Sequence, residues 1–386
     1  MWKHIAANGI SLLIVLLIAV GGMIAWGKAQ YEAPGPLAQA ICLRVESGSN
    51  LRRVSEELAG RDAVKYPQIL RMGADYTDRS DKLKAGSFLI EEGSSMQDIV
   101  ALLTGDGQST CGTEVVYRIG VTGQEMRVRE LDPATNRFEV VTEFDPLAGA
   151  APDLYADLRS LSDTRYRIAV AEGVTSWQVV EALKGADFLA GDVADVPPEG
   201  LLAPNSYEVE PGTLRQDLLG HMQEMQGARL AEAWDNRADG LPYDTPEEAL
   251  IMASIVEKET GVPEERRQVA SVFVNRLREG MRLQTDPTVI YGITNGQGVL
   301  GRGLRRSELQ RATPYNTYEI DGLPPTPIAN PGLASIEAAL NPDSTDFLFF
   351  VADGSGGHAF AQTLAEHNDN VARWRAIEAE QETSSN

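Results

Sequence analysis

One combination of apolar positions occurs three times along this chain. Val45, Gly48, Val54 and Leu58 recur with identical spacing as Ile90, Gly93, Ile99 and Leu103, and again as Val170, Gly173, Val179 and Leu183. Each copy predicts an apolar strand end, a glycine turn and an amphipathic helix whose buried residues stand four apart. The first two copies predict one small unit, residues 41–108, of two strands and two helices. The third opens the main domain, residues 165–380. Between them, VVYRIG, QEMRVREL and RFEVVTEF alternate as strands do and are separated by Thr122-Gly123 and by DPATN. Residues 109–164 therefore read as a β-rich insertion.

The helical signals are strongest farther on. Thr245, Pro246 and Glu248 make a capping box with proline at the first helical position, and Gly261 supplies a stop, predicting a helix over 246–260. Pro263 restarts a second helix, whose Val269, Val272, Phe273 and Leu277 share one face before Gly280 ends it. A further helix is predicted over 215–236, with Leu218, Leu219, Met222, Met225 and Leu230 inward. The segment PPEGLLAPNSYEVEPG before it is turn-rich. Asn330 is expected to cap a helix ending near Asn341. A hairpin follows, from the apolar run 347–351 through a glycine turn to 358–360, and then an amphipathic C-terminal helix carrying His367.

Residues 5–26 are nearly all apolar and carry no acid, lysine or arginine, enough to cross a bilayer once. A signal peptide and an anchor both fit. The run exceeds a usual signal core and places Trp26 where an interfacial aromatic belongs, which favours an uncleaved single-pass anchor, with 1–4 before it and a linker over 27–40.

At 386 residues the chain has room for two or three cores. A net charge of -22 with basic residues scattered among acids argues against nucleic acid. Four histidines and two cysteines show no ligand spacing, so neither metal nor cofactor is expected. Cys42 and Cys111 bracket the small unit. In an oxidising compartment a bridge closing their loop would add about 4 kcal/mol in the chain-entropy model, and two free thiols remain the alternative.

The candidate chemistry centres on Glu257-Lys258-Glu259-Thr260. Glu259 has Ile255 four residues back and Val256 three back, whereas Glu257 has Ala253 and Ser254. Lost solvent and a place in the last helical turn should raise the Glu259 carboxyl pKa, as a general acid requires. Glu257 is the second candidate. Gln284 and Thr285 offer amide and hydroxyl groups suited to sugar, and Asp286 before Pro287 reads as a helix cap or a further cleft carboxylate. Tyr315, Asn316 and Tyr318 lie in a proline-rich loop where aromatic faces and an amide suit sugar rings. His358 reads equally as a hydrogen-bonded imidazole at the hairpin base and as a cleft residue.

The run ASIVEKETGVPEERRQVASVFVNRLREGMRLQTDPTVIYG, with YNTYEIDGLPPTPIANPG and FLFFVADGSGGHAFAQTLAEHN after it, resembles the endolytic murein transglycosylase (YceG-like) family. The resemblance implies an α+β chain with a single N-terminal transmembrane helix, a LysM-like α/β subdomain over 41–108, a mixed helical and strand catalytic domain over 165–380, and a polar tail over 381–386. It implies that a glutamate of EKET is the acid/base, which by likeness to the Glu-Ser pair of other lytic transglycosylases falls on Glu259. It also places Gln284, Thr285 and Asp286 in the cleft. Peptidoglycan glycan strands are then the substrate, with cell-wall synthesis proteins as partners, and the catalytic domain belongs in the periplasm at the inner membrane. Two rivals stand beside this reading: a non-catalytic murein-binding scaffold, and a hydrolytic muramidase using Glu259 with Asp286.

Overall fold

In the computed structural model of the chain, residues 2–105, 110–159, 161 and 164–384 are described. The expected boundary at 108/109 and the last two residues of the expected tail lie outside them, as does Met1. In chain order the elements begin with helix α1 (Trp2–Glu32), strand β1 (Ile41–Val45), helices α2 (Leu51–Gly60) and α3 (Pro67–Tyr76), strand β2 (Gly86–Ile90) and helix α4 (Met96–Thr104). Strands β3 (Thr113–Ile119), β4 (Gln124–Asp132) and β5 (Arg137–Phe144) follow, then α5 (Asp153–Arg159), β6 (Arg165–Val170), α6 (Ser176–Lys184), β7 (Ser206–Val209) and α7 (Arg215–Asp235). The last third holds α8 (Pro246–Glu259), α9 (Arg266–Arg278), α10 (Asp286–Thr294), α11 (Arg306–Leu309), α12 (Leu333–Leu340), the hairpin β8 (Phe349–Ala352) and β9 (His358–Ala361), and α13 (Leu364–Ser384).

The threefold pattern folds as the spacing predicts. Gly48, Gly93 and Gly173 adopt φ of 77°, 68° and 78°, the left-handed region that glycine enters without a Cβ penalty. The helix after each glycine starts at a side-chain cap, Asn50, Ser95 or Thr175, and buries the expected pair: Val54 and Leu58, Ile99 and Leu103, Val179 and Leu183.

The chain divides into two compact units, the first made of residues 1–115, 127–144 and 151–165, the second of 116–126, 145–150 and 166–386. In the first, β1 and β2 pair antiparallel, Leu43 opposite Phe88, over a core that includes Leu58, Leu70 and Leu103. Between residues 41 and 105 there are three α-helices, α2, α3 and α4, rather than the expected two. The additional one, α3, starts at Pro67 and buries Leu70 and Ala74, a pair the repeat spacing does not include. Cys42 and Cys111 are joined in a disulfide with Cα atoms 5.8 Å apart, an ordinary separation for a bridge.

The expected linker over 27–40 is also revised. Helix α1 continues to Glu32, Tyr31 is buried, and the stretch after it is held by Gly35 N–H to the Gly93 carbonyl and Gly93 N–H to the Leu37 carbonyl. Residues 11–32 of α1 are long and apolar enough to cross a membrane, and their most apolar 18-residue window is not buried by the rest of the chain, whereas Tyr31 near the end of the stretch is.

The strands expected in 109–164 form, and they stand in one five-stranded sheet of order β5-β4-β3-β6-β7 rather than in a sheet of their own. Within PPEGLLAPNSYEVEPG, Ser206–Val209 pairs antiparallel with β6, and Tyr207 packs inward with its hydroxyl on the Ala203 carbonyl. In the second unit the core surrounds α8, where every residue from Ala249 to Val256 is buried. A helix buried on all sides is central rather than amphipathic. It packs against α7, α9 and α12.

Candidate active site

Helix α8 is entered at Thr245, whose hydroxyl accepts the Glu248 N–H with Pro246 in the first turn. The capping box is incomplete, because Glu248 accepts the Asp244 N–H instead of the Thr245 N–H. The helix ends at Glu259. Thr260 already has extended backbone, so the stop precedes Gly261. Three polar residues thus follow eight buried ones, and each is committed to a different neighbour.

Glu257 turns toward α12. Its Oε2 accepts the Gly332 N–H at 3.0 Å and the Ser335 hydroxyl at 2.7 Å, which places a carboxylate at the N-terminus of that helix. Burial raises its pKa, and these two hydrogen bonds oppose the rise. Lys258 donates to the Gly173 carbonyl, the glycine of the third strand-turn-helix copy. Glu259 faces the chain after α9, where the Thr285 hydroxyl donates to its Oε1. Burial is the main cause of a raised pKa at Glu259, and the charge of Asp286 adds to it. Thr285, His358 and Arg276 pull the other way.

Thr285 is 2% exposed. Its N–H donates to the Thr317 hydroxyl at 3.0 Å, and its carbonyl accepts the Thr288 hydroxyl at 2.8 Å. Three buried threonines therefore lock the hydroxyl that engages Glu259, and Thr285 is turned into the protein rather than toward solvent. Gln284 beside it is exposed with φ 52°, and its amide oxygen accepts from the Arg276 guanidinium at 3.4 Å. Arg276 fixes the strand leading into this corner. It is 8% exposed, donates to the carbonyls of Leu283 at 2.9 Å and Leu348 at 2.6 Å, and lies over the Phe349 ring.

Asp286 does not cap α10. Thr285 occupies the cap position and Asp286 already has helical backbone, so its carboxylate is free to accept the Tyr318 hydroxyl at 2.7 Å. Burial and the acceptor Asp286 both raise the Tyr318 pKa, keeping the phenol protonated. Asn316 is fully buried and is not a sugar ligand. Its amide donates to the carbonyls of Glu308, Leu309 and Arg311 and accepts the Tyr318 N–H, which shapes the loop that presents Tyr318. The Tyr315 ring lies 5.0 Å from that of Tyr291, tilted by 54°, and its hydroxyl meets Thr326.

Asn330 likewise lies in the interior. Gly332 caps α12, while Asn330 accepts the Leu202 N–H and donates to the Val174 carbonyl, pinning two distant segments. His358 sits at the hairpin base as expected, with its N–H and Nδ1 both on the Glu265 carboxylate at 2.9 and 2.7 Å and its ring edge-on to Phe350. It is near enough to Glu259 to influence its charge. His367 is a packing residue, stacked on Phe349.

The structure therefore brings Glu259, Thr285, Asp286, Tyr318 and His358 together, with Gln284 at the edge, and it assigns Glu257 and Asn316 to holding the frame. Thr317, Arg276 and Glu265 belong to the site and carried no local signal. The contacts Thr317 to Thr285, Arg276 to Leu348 and Glu265 to His358 join positions 32, 72 and 93 residues apart. Among the described residues, a cavity of about 500 Å³ is lined by Arg44, Arg61 and Glu130 in the first unit and another of about 520 Å³ by Arg229, Arg267 and Glu337 in the second. Glu259 lines neither.

Among known proteins, the chain is 28% identical over 364 residues to the endolytic murein transglycosylase of Bacillus subtilis (strain 168), covering 91% of this chain and 89% of that one. It is 26% identical over 400 residues to the endolytic murein transglycosylase of Streptococcus pneumoniae serotype 2 (strain D39 / NCTC 7466), covering 96% of this chain and 65% of that longer protein. A yceG-like protein of Listeria monocytogenes with a solved structure matches 86% of this chain at 22% identity and a TM-score of 0.46. The model of the YceG-like family matches residues 147–373, which include α8, the threonine-locked corner, the Tyr318 loop and the His358 hairpin. A match over that much of the chain means that it belongs to the YceG-like family.

Proposed function

We propose that this protein is a lytic murein transglycosylase that cuts the β-1,4 bond between N-acetylmuramic acid and N-acetylglucosamine in peptidoglycan strands and leaves 1,6-anhydro ends. One observation carries the reading: the Glu259 carboxyl has a pKa raised mainly by burial and only Oε1 engaged, by the Thr285 hydroxyl, whereas Glu257, also raised, is taken up by Gly332 and Ser335 at the start of α12. The protonated carboxyl gives its proton to the glycosidic oxygen as the C1–O bond breaks and positive charge develops at C1. The muramic C6 hydroxyl then closes onto C1 and returns its proton to Glu259. Atoms balance without water or a second carboxylate. Thr285 donates to the carboxylate between the two steps, when the charge is greatest.

The names of the Bacillus and Streptococcus relatives support both this chemistry and an endolytic cut. The apolar, unburied stretch of α1 suits a single-pass anchor in the inner membrane, with the remainder on the periplasmic side where murein lies. The β1–β2 unit fits a LysM-like holder of glycan, and an anchored enzyme that cuts new strands suits partners from the machinery that makes them. A hydrolytic alternative draws on Asp286, which is exposed and close enough to raise the Glu259 pKa. Purified sacculi treated with the detergent-solubilised full chain separate these readings. We expect fragments lighter by one water than hydrolysis products and resistant to borohydride, and none with Glu259→Gln. Reducible ends would establish hydrolysis, and intact murein would leave only a scaffold.

A further inference from the structure

The passage from the apolar helix to the first unit contains no loose tether. Helix α1 runs unbroken through Trp26 and Tyr31 to Glu32, and Tyr31 is buried in the core of the unit. Its ring lies so close to Gly73 of α3 that a methyl group there would overlap it, so the absence of a side chain at Gly73 is what lets the two helices touch. One turn earlier Trp26 meets Tyr66, the residue that opens α3, edge-on at 5.5 Å. Trp26 stands only about 7.5 Å along the helix axis from Tyr31. The first turn of α3 is therefore held within a few ångströms of the level at which the exposed apolar residues of α1, ending with Met23, Ile24 and Trp26, give way to Lys28.

Two features of that corner match a headgroup layer. Trp26 and Tyr66 combine apolar rings with polar edges, the residue types that settle at membrane interfaces. Lys65 is exposed beside Tyr66, 5.3 Å from its ring, and Lys28 is exposed on α1 in an i,i+4 ion pair with Glu32 at 3.7 Å, so one ring-packed and one paired cation mark this corner of a chain whose net charge is -22. Cations at this depth face phosphate groups, and their stems lie along apolar surface.

We propose that the Lys65–Tyr66 corner of α3 is a phospholipid contact surface that seats the first unit directly on the membrane. This rests on reading α1 as the anchor. The full chain in nanodiscs of phosphatidylethanolamine and phosphatidylglycerol tests it, with nitroxide labels introduced singly through Gln68→Cys on the first turn of α3 and Leu16→Cys within α1. Label accessibility is compared between oxygen, which enters lipid, and a water-soluble nickel chelate. A companion chain carries a flexible glycine-serine insertion between Lys28 and Ala29. The expected result is an oxygen-to-nickel ratio at position 68 several-fold higher in the uninterrupted chain than in the insertion chain, with position 16 lipid-exposed in both. Equal, water-like ratios at 68 with position 16 in lipid would overturn the seat and leave the anchor standing. A water-like position 16 would remove the anchor and the seat with it.

Discussion

The hydroxyl of Thr285 donates to Oε1 of Glu259, which leaves Oε2 as the oxygen that carries the proton of the acid form. A carboxyl has two oxygens, and only one can point at the scissile bond. Under the proposed mechanism the buried threonine cluster makes that choice before substrate arrives, since Thr285 is itself fixed by Thr317 and Thr288.

Thr285→Val keeps the branched shape and removes the donor. We expect kcat to fall on the order of 10–100-fold with KM little changed, at or below the lower end of the roughly 10²–10⁴-fold that a positioned acid contributes. The hydrogen bond lowers the Glu259 pKa against the effect of burial, so its loss raises that pKa further. The alkaline limb of the rate profile, where the acid form is titrated away, should therefore move to higher pH. Thr285→Ser should restore most of the rate and the native limb. A valine variant with an unchanged profile would show that the hydroxyl does not act on the acid.

Glu257 and Glu259 should separate in activity and converge in stability. Glu259→Gln should be inactive, whereas Glu257→Gln should retain cleavage, because an amide oxygen still accepts from Gly332 and Ser335. Both carboxyls have folded pKa values above their unfolded ones. The folded state then holds more protons, so each group costs stability as pH rises from the unfolded carboxylate pKa through the raised folded one. Each glutamine variant should melt higher than the parent at pH 7, and the gain should vanish toward pH 4. Thermal melts over that range check the sign.

Asp286→Asn preserves an oxygen for the Tyr318 hydroxyl and removes the charge. The proposed mechanism uses one carboxyl, so cleavage should persist within about tenfold and the ends should stay anhydro. Removing a negative neighbour should also lower the Glu259 pKa, moving the alkaline limb to lower pH, opposite to Thr285→Val. Loss of all cleavage in a folded Asp286→Asn protein would favour hydrolysis.

The Cys42–Cys111 bridge ties β1 to the segment before β3. Replacing both cysteines by serine should cost about 2–4 kcal/mol of stability in the first unit. Denaturing thiol labelling of the exported, unreduced protein should find no free thiol. Two labelled cysteines would contradict the pairing.

Local pattern alone determined a good deal of this protein. The three strand-glycine-helix copies were legible because turn chemistry and helical periodicity act over a dozen residues. The ends of α8, the hairpin at His358 and the apolar span were legible for the same reason. Glu259 was distinguished from Glu257 by the side chains one turn behind each, and the structure agrees that Glu259 faces the loop after α9 while Glu257 braces α12. What only the tertiary structure decided was which polar groups are occupied. Thr285, Asn316 and Asn330 have the chemistry of sugar ligands or caps, yet all three are buried, Thr285 and Asn330 bonded to distant segments and Asn316 to the backbone of its own loop. Asp286 looked like a cap because Pro287 follows it, and the fold moved the cap one residue back. Tyr31 and Gly73 turned an apparent linker into a packed joint. A buried polar group must find a partner somewhere in the fold, and that partner is set by which segments meet, which no local spacing records.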